Sequence, residues 1–122
     1  METRNGTVIT DEVGKKYALK WTARDPKNAE FEAFFQLNRA KDWTTFKSAL
    51  KTYGGATQNF VFADVKGNIG WYAAGRIPIR KTGDGAVPYD GSTTDGDWLG
   101  NIPFEELPNL YNPPEGLIVT AN

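Results

Sequence analysis

Short runs of alternating apolar and polar residues predict two hairpins in this chain. Residues 7–10 and 17–23 are rich in β-branched and aromatic types, and the polar segment between them contains a glycine. Residues 60–62 and 69–72 repeat this pattern on either side of a turn with the sequence Asp-Val-Lys-Gly-Asn. Pro78 has no N–H to donate to a strand ladder, so we expect the strand around it to lie at a sheet edge or to end there.

Between the two hairpins the apolar residues follow a period of 3.6, which predicts two short helices. Asn28 is the expected N-cap of the first helix, and Asp42 is that of the second. Gly54 and Gly55 are expected to end the second helix in the left-handed conformation. One face of the first helix is aromatic, and it carries Phe31, Phe34 and Phe35. Such a face is usually part of a hydrophobic core, although the same side chains could line a pocket for an acyl group.

The last third of the chain is predicted to contain little regular structure. Residues 81–100 form a sequence of glycine, aspartate and threonine whose length indicates a functional or mobile loop. Pro103 can begin one helical turn, which Pro108 ends. Residues 117–121 are an apolar run without alternation, which is typical of a strand buried on both faces. No partner for such a strand follows, so we expect the chain to be part of a longer protein.

The composition predicts one folding unit. With 122 residues, of which 39% are hydrophobic, the chain can build one core, and we expect residues 1–122 to form a single α+β unit of hairpins and two short helices. The 14 basic residues are scattered among 15 acidic ones, and the apolar runs are far shorter than the roughly 20 residues that cross a bilayer. These features argue against nucleic acid and membranes as partners, and they do not indicate a compartment.

The chain has neither histidine nor cysteine, which removes the usual general base, the thiol nucleophile and the commonest zinc ligands. Its only serines, Ser48 and Ser92, lie in a helical pattern and in a turn-rich loop, where we expect solvated polar side chains. Asp90 could begin a calcium loop, but Asp95 and Asn101 stand where that loop needs glycine and glutamate. The Asp-Gly pairs therefore favour turns.

Two further charged pairs are more readily explained by structure than by chemistry. Arg76 and Arg80 flank a strand end and could hold a carboxylate, but a structural ion pair or solvated charge is favoured. Glu105 and Glu106 are adjacent in a helical pattern and point about 100° apart, so they cannot face each other across a substrate bond.

Longer stretches of the sequence resemble a known family. Residues 59–80, with the sequence NFVFADVKGNIGWYAAGRIPIR, are similar to the β chain of the penicillin acylases, a branch of the N-terminal-nucleophile amidohydrolases. Asn5 and Thr7 stand where the family commonly has histidine and proline. Further similar stretches in the same order and near the same spacing cover nearly the whole chain: Thr3–Ile9, Leu19–Ala23, Leu37–Trp43, Asp97–Pro108 and Tyr111–Gly116.

The resemblance implies that the chain is a partial β-chain segment within the four-layer αββα sandwich of these hydrolases. In the family the nucleophile is a serine at the start of the β chain, and its own α-amino group acts as the base. That serine would lie upstream of Met1. The segment alone is therefore expected to be inactive and to need the remainder of the acylase chain as its partner. Open strand edges would favour self-association of the isolated segment. The full-length protein is expected to hydrolyse a small N-acyl amide substrate.

The resemblance also assigns roles to three residues. Asn122 matches the asparagine whose side-chain amide donates to the tetrahedral oxyanion. Phe34 matches an aromatic wall of the acyl pocket. Gln58 matches a pocket position that is usually apolar, which leaves room for aliphatic acyl groups.

The resemblance implies no cofactor and no metal-binding side chain in this segment. The full-length protein could hold calcium, to which the loop after Arg80 would contribute a backbone carbonyl. The alternative hypothesis is a stand-alone, non-catalytic module that is related to the acylases and binds a ligand on its aromatic surface.

Overall fold

The computed structural model describes residues 1–121. Within these residues the strands form three antiparallel sheets. In order across each sheet, the first contains residues 2–3, 6–10 and 16–19, the second residues 58–63, 69–74 and 109–111, and the third residues 78–80 and 98–101. The predicted α+β class, with hairpins and two short helices, is confirmed. Two 3-10 turns, Thr22–Arg24 and Phe104–Glu106, lie between the larger elements. Those elements are β1 (Glu2–Thr3), β2 (Gly6–Thr10), β3 (Lys16–Leu19), α1 (Glu30–Leu37), α2 (Trp43–Leu50), β4 (Gln58–Ala63), β5 (Ile69–Ala74), β6 (Pro78–Arg80), β7 (Trp98–Asn101) and β8 (Asn109–Tyr111).

The first predicted hairpin is confirmed, but its second strand is shorter than expected. β2 and β3 pair antiparallel, with Thr7 opposite Leu19 at the open end. The expectation of a strand up to residue 23 is wrong, because residues 22–24 form a 3-10 turn. β2 begins at Gly6, so this register leaves the residues beyond 20 without a facing strand residue.

The second hairpin is confirmed over all six residues of β4 and β5. In its turn the Asp64 carboxylate accepts hydrogen bonds from the backbone N–H groups of Lys66 and Asn68. Gly67 has φ of +84°, a conformation that glycine adopts at no steric cost. A local sequence pattern therefore defines both the turn and the register of the hairpin.

Gly75 directly follows β5, and the chain turns there into another sheet. Its φ is +146°, and a Cβ at this position would stand 2.6 Å from the Thr57 Cα, so only glycine fits. Pro78 is the first residue of β6, which confirms the expected strand end. The prediction of an unbroken loop over residues 81–100 is wrong at its C-terminal end, because residues 98–101 form β7 and pair with β6.

The two helices begin differently. Asp42 caps α2 as predicted: its carboxylate accepts from the Thr45 backbone N–H, and the Thr45 hydroxyl oxygen accepts from the Asp42 N–H. The prediction of Asn28 as the N-cap of α1 is wrong, because that position is held by Ala29. The Asn28 side chain instead donates to the carbonyl of Thr22, which anchors the preceding 3-10 turn.

No helix among residues 1–121 is long and apolar enough to cross a membrane.

Gly54 and Gly55 allow close packing and do not form a left-handed helix end, so that prediction is wrong. Neither is among the glycines with positive φ. A Cβ at Gly54 would stand 2.1 Å from the Asn28 Oδ1, and one at Gly55 would stand 2.1 Å from a Glu30 carboxylate oxygen. The segment after α2 can therefore approach the start of α1 only because both side chains are absent.

The C-terminal part contains a strand that the pattern did not predict and lacks one that it did. The turn after Pro103 is confirmed as residues 104–106, and β8 follows it and pairs with β5. Residues 117–121 do not form a strand, and the Val119 side chain is 84% exposed. The prediction of a strand buried on both faces is therefore wrong within the described residues, where this run has no ladder partner.

The core lies between α2 and one face of the β4-β5-β8 sheet. Its buried cluster consists of Phe46, Leu50, Phe62, Tyr72, Ala74 and Leu107. The aromatic face of α1 does not join this cluster, although such a face was expected to be core. Phe31 is 86% exposed, Phe35 is half-exposed, and the buried residue of α1 is Ala33. The chain thus covers one side of α1 and leaves its aromatic side open.

We expect Leu50→Ala to lower the free energy of unfolding by about 2–5 kcal/mol, because Leu50 is fully buried and truncation leaves a cavity. Urea denaturation measures this change. Leu99→Ala is the matched control, since Leu99 is exposed and should cost less than about 0.5 kcal/mol. Equal losses for the two variants would contradict this location of the core.

Candidate functional site

Phe34 belongs to a cluster of three aromatic rings, Phe34, Tyr53 and Phe60, which we call the aromatic cluster. The Phe34 ring meets Tyr53 edge-on with a centroid distance of 5.9 Å and meets Phe60 at 6.1 Å. Tyr53 and Phe60 are 5.0 Å apart, also edge-on. Phe34 is nevertheless 51% exposed, so one side of the cluster is open to a ligand or to another protein segment.

Gln58 lies on the same strand as Phe60 of the aromatic cluster. It is the first residue of β4 and stands two residues before Phe60, so both side chains project from the same face of the strand. Gln58 is exposed. Because Phe34 packs on Phe60, the face of β4 that carries Gln58 is also the face that Phe34 contacts.

Tyr53 is held in this cluster as a neutral phenol. Its hydroxyl donates to the carbonyl of Ala56 at 3.0 Å. Burial raises the pKa of the Tyr53 hydroxyl, and the negative charge of Glu30 raises it further. At neutral pH the hydroxyl is thus a hydrogen-bond donor and not a base.

The opposite face of β4 holds the end of the described chain. The Asn59 Oδ1 accepts from the Trp71 indole N–H at 2.8 Å, and the Asn59 Nδ2 donates to the Ala121 carbonyl at 3.1 Å. Asn122, the residue to which an oxyanion role is assigned, lies outside the described residues. Asn59 is not among the site residues expected from the sequence. Its only signal was its place as the first residue of the string that resembles the acylases.

Arg76 forms the structural ion pair that the sequence analysis favoured. Its guanidinium pairs with the Asp25 carboxylate, and both side chains are partly buried. The pKa of Asp25 is lowered mainly by the hydrogen bond that its carboxylate accepts from the Lys27 backbone N–H. The positive charge of Arg76 lowers this pKa further. Arg80 has no ion pair within residues 1–121, although it is the second arginine of the predicted pair.

The aspartate-rich loop forms turns. The Asp90 carboxylate accepts from both the backbone N–H and the hydroxyl of Ser92, and these bonds lower the pKa of Asp90. Asp97 lies near the cationic groups of Arg4 and Lys20. No group of three carboxylates among the described residues is arranged to hold a metal ion. Calcium in the full-length protein, with a backbone carbonyl from the loop after Arg80, stays a prediction.

The chain matches the family model described as Penicillin amidase over residues 1–122. It is 35% identical to the penicillin acylase 2 proenzyme of Pseudomonas sp. (strain SE83), a match that covers 100% of this chain and 16% of the relative. It is 33% identical to the acyl-homoserine lactone acylase QuiP of Pseudomonas fluorescens, over 99% of this chain and 16% of the relative. It is also 36% identical to the penicillin G acylase of Escherichia coli, a match that covers 98% of this chain and 14% of the relative.

The fold matches a solved structure over the same extent. A thermostable penicillin G acylase from Alcaligenes faecalis superposes on the chain with a TM-score of 0.84 and 30% sequence identity. The superposition covers 99% of this chain and 22% of that protein chain. The chain thus spans about a fifth or less of the proteins that it matches.

We expect Phe34→Ala to lower the pKa of the Tyr53 hydroxyl toward its ordinary value, because loss of the neighbouring ring reduces the burial that raises it. NMR titration of labelled tyrosine measures this change. Phe31→Ala is the control on the same helix, since Phe31 is exposed and should leave the titration unchanged. The aromatic cluster is refuted if both variants shift the pKa of Tyr53 equally or if neither does.

Proposed function

The chain belongs to the penicillin amidase family, and on that premise we propose that it is an internal segment of an acylase that hydrolyses carboxylic amides. The resemblance inferred from its motifs is confirmed by the family match. The α+β fold, as a fragment of the sandwich of the N-terminal-nucleophile hydrolases, is confirmed by the superposition on a penicillin G acylase. The proposed substrate is a penicillin-type or other N-acyl amide.

One observation carries the proposal: the family match and the superposition both extend over essentially the whole chain. Similar proteins include acylases of penicillin and acylases of acyl-homoserine lactones. Because those relatives differ in substrate, the proposal names the N-acyl amide as a class and leaves the acyl group to the pocket side chains.

The proposed mechanism divides the catalytic groups between this segment and the rest of the protein. A serine outside the chain attacks the amide carbonyl, and its own α-amino group takes the proton. Asn122 donates its side-chain N–H to the developing oxyanion, a contribution worth about 3–4 kcal/mol for a well-placed donor. Phe34 forms part of the wall for the acyl group, and Gln58 borders it. The isolated segment lacks the nucleophile and is inactive.

Exposed apolar surface favours a segment over a stand-alone module. Phe31 on α1 is 86% exposed, and the β4-β5-β8 sheet exposes Val61 and Leu110 on the face turned away from α2. Trp71 lies opposite both of them in the ladder, so the three side chains cross the sheet in one row. Contiguous apolar patches mark surfaces that bind a protein, a ligand or a membrane, and a row across an open sheet face suits a neighbouring protein segment. The remainder of the acylase chain is the proposed partner, and the isolated segment is expected to self-associate.

We expect Asn122→Ala in the longer protein to lower kcat for a chromogenic acyl-anilide by about 10²–10³-fold, because one oxyanion donor is lost. Steady-state kinetics measures this change. Asn101→Ala is the control, since Asn101 is exposed on β7 and should leave kcat within about twofold.

Two results would oppose the proposal. Turnover by the purified 122-residue chain would show that it contains its own nucleophile. A coding sequence without a Gly-Ser processing junction upstream of residue 1 would remove the proposed nucleophile and favour the stand-alone binding module.

We expect Gln58→Ile to raise the ratio of kcat/KM for phenylacetyl over short aliphatic amides by roughly tenfold, because a polar amide at the pocket edge is replaced by apolar surface. Kinetics with paired anilides measures the ratio. Gln36→Ile places the same substitution on the exposed side of α1 and should leave the ratio unchanged. A ratio that is insensitive to both substitutions would remove Gln58 from the acyl pocket.

A further inference from the structure

We propose that Asn59 is a positioning residue, which holds the backbone next to Asn122 through a hydrogen bond to the Ala121 carbonyl. This inference rests on the proposed function, because it concerns the placement of the oxyanion donor. It adds a residue that neither the motifs nor the family match assigns.

The contacts of Asn59 form a chain of two hydrogen bonds. The Trp71 indole N–H donates to the Asn59 Oδ1 at 2.8 Å, and the Asn59 Nδ2 donates to the Ala121 carbonyl oxygen at 3.1 Å. The first partner belongs to β5 and the second to the C-terminal run. One side chain on β4 therefore connects the central hairpin to the end of the described chain.

The chemistry of Trp71 determines which way the Asn59 amide points. An indole N–H can only donate, so it selects the amide oxygen of Asn59 as its partner. The Asn59 NH₂ group then faces away from Trp71 and donates to the Ala121 carbonyl, which can only accept. Trp71 is itself held in the ladder opposite Val61, in the middle of the paired strands. The rigid hairpin thus determines the orientation of the donor.

Little else holds the C-terminal run. Residues 117–121 are outside any strand, and Leu117 and Val119 are exposed. Among the described hydrogen bonds, the bond from Asn59 is the one that attaches these five residues to the rest of the chain. The Ala121 carbonyl belongs to the peptide group that joins Ala121 to Asn122. A bond to this oxygen therefore restrains the peptide group from which the proposed oxyanion donor extends.

The decisive substitution is Asn59→Asp. It keeps an acceptor for the Trp71 indole and removes the donor to Ala121, where a carboxylate would face a carbonyl oxygen. We expect kcat of the longer acylase to fall by about tenfold or more with KM within about twofold, because a displaced oxyanion donor affects the transition state more than the bound substrate. Trp71→Phe removes the orienting donor and should lower kcat less.

Two comparisons separate positioning from a general structural role. Asn109→Asp is the matched control, since the Asn109 amide also donates to a backbone carbonyl, that of Leu107, at 2.9 Å. It should leave kcat unchanged. In an Asn122→Ala background Asn59→Asp should have no further effect, because Asn59 acts through Asn122. Multiplied effects in the double variant, or equal losses for Asn59→Asp and Asn109→Asp, would overturn the proposal.

Hydrogen exchange gives a readout that does not depend on activity. In the longer protein, the peptide that contains residues 117–122 should exchange faster in Asn59→Asp than in the wild type, and Asn109→Asp should leave its exchange unchanged. Unchanged exchange in Asn59→Asp would refute the restraint itself. A wild-type protein without acylase turnover would overturn the proposed function and the catalytic purpose of the restraint, while the exchange result would still decide whether the restraint exists.

Discussion

α2 packs against one face of the β4-β5-β8 sheet, and this contact forms the core that supports every other part of the fold. Trp43 lies over Gly70, where a Cβ would stand 2.5 Å from the indole ring, so the helix reaches the sheet only because this position lacks a side chain. Tyr72 on the same strand stacks on Phe104 at 4.6 Å and donates its hydroxyl to the Phe104 carbonyl. These contacts join the helix, the hairpin and the turn before β8 into one core, and β4 carries the candidate site on that foundation.

The two faces of the sheet have different roles because β4 alternates its side chains between them. The face that carries Phe60 and Phe62 packs against the helices and, at its end, forms the aromatic cluster and carries Gln58. The other face carries Val61 and Asn59. It leaves an apolar row for a neighbouring segment and holds the C-terminal run through one side-chain amide. Under the proposed function, acyl-group selection and oxyanion placement depend on opposite faces of one strand.

The successes and errors of the sequence-based predictions have a common cause. The turn built on Asp64 and the cap at Asp42 were predicted correctly, because each depends on hydrogen bonds between residues close in sequence. The aromatic face of α1 was wrongly assigned to the core. An amphipathic pattern shows that one face of a helix is apolar enough to be buried, but it does not show whether the same chain supplies the segment that covers it. The run from residue 117 was misassigned as a strand for the same reason, since a strand needs a neighbour that its own sequence does not encode.

Residue types and their local spacing were enough to predict both hairpins, both helices and the turn after Pro103, the absence of the usual catalytic bases, and a family membership carried by long matching strings. Only the tertiary structure brought Phe34 to the face of β4 that carries Gln58, assigned Gly54 and Gly55 to close packing, and set Asn59 between Trp71 and Ala121. The physical reason is the range of the interactions. Turns and caps are satisfied within a few residues, whereas ring contacts, close approaches and side-chain bonds to distant carbonyls exist only after separate parts of the chain have packed together.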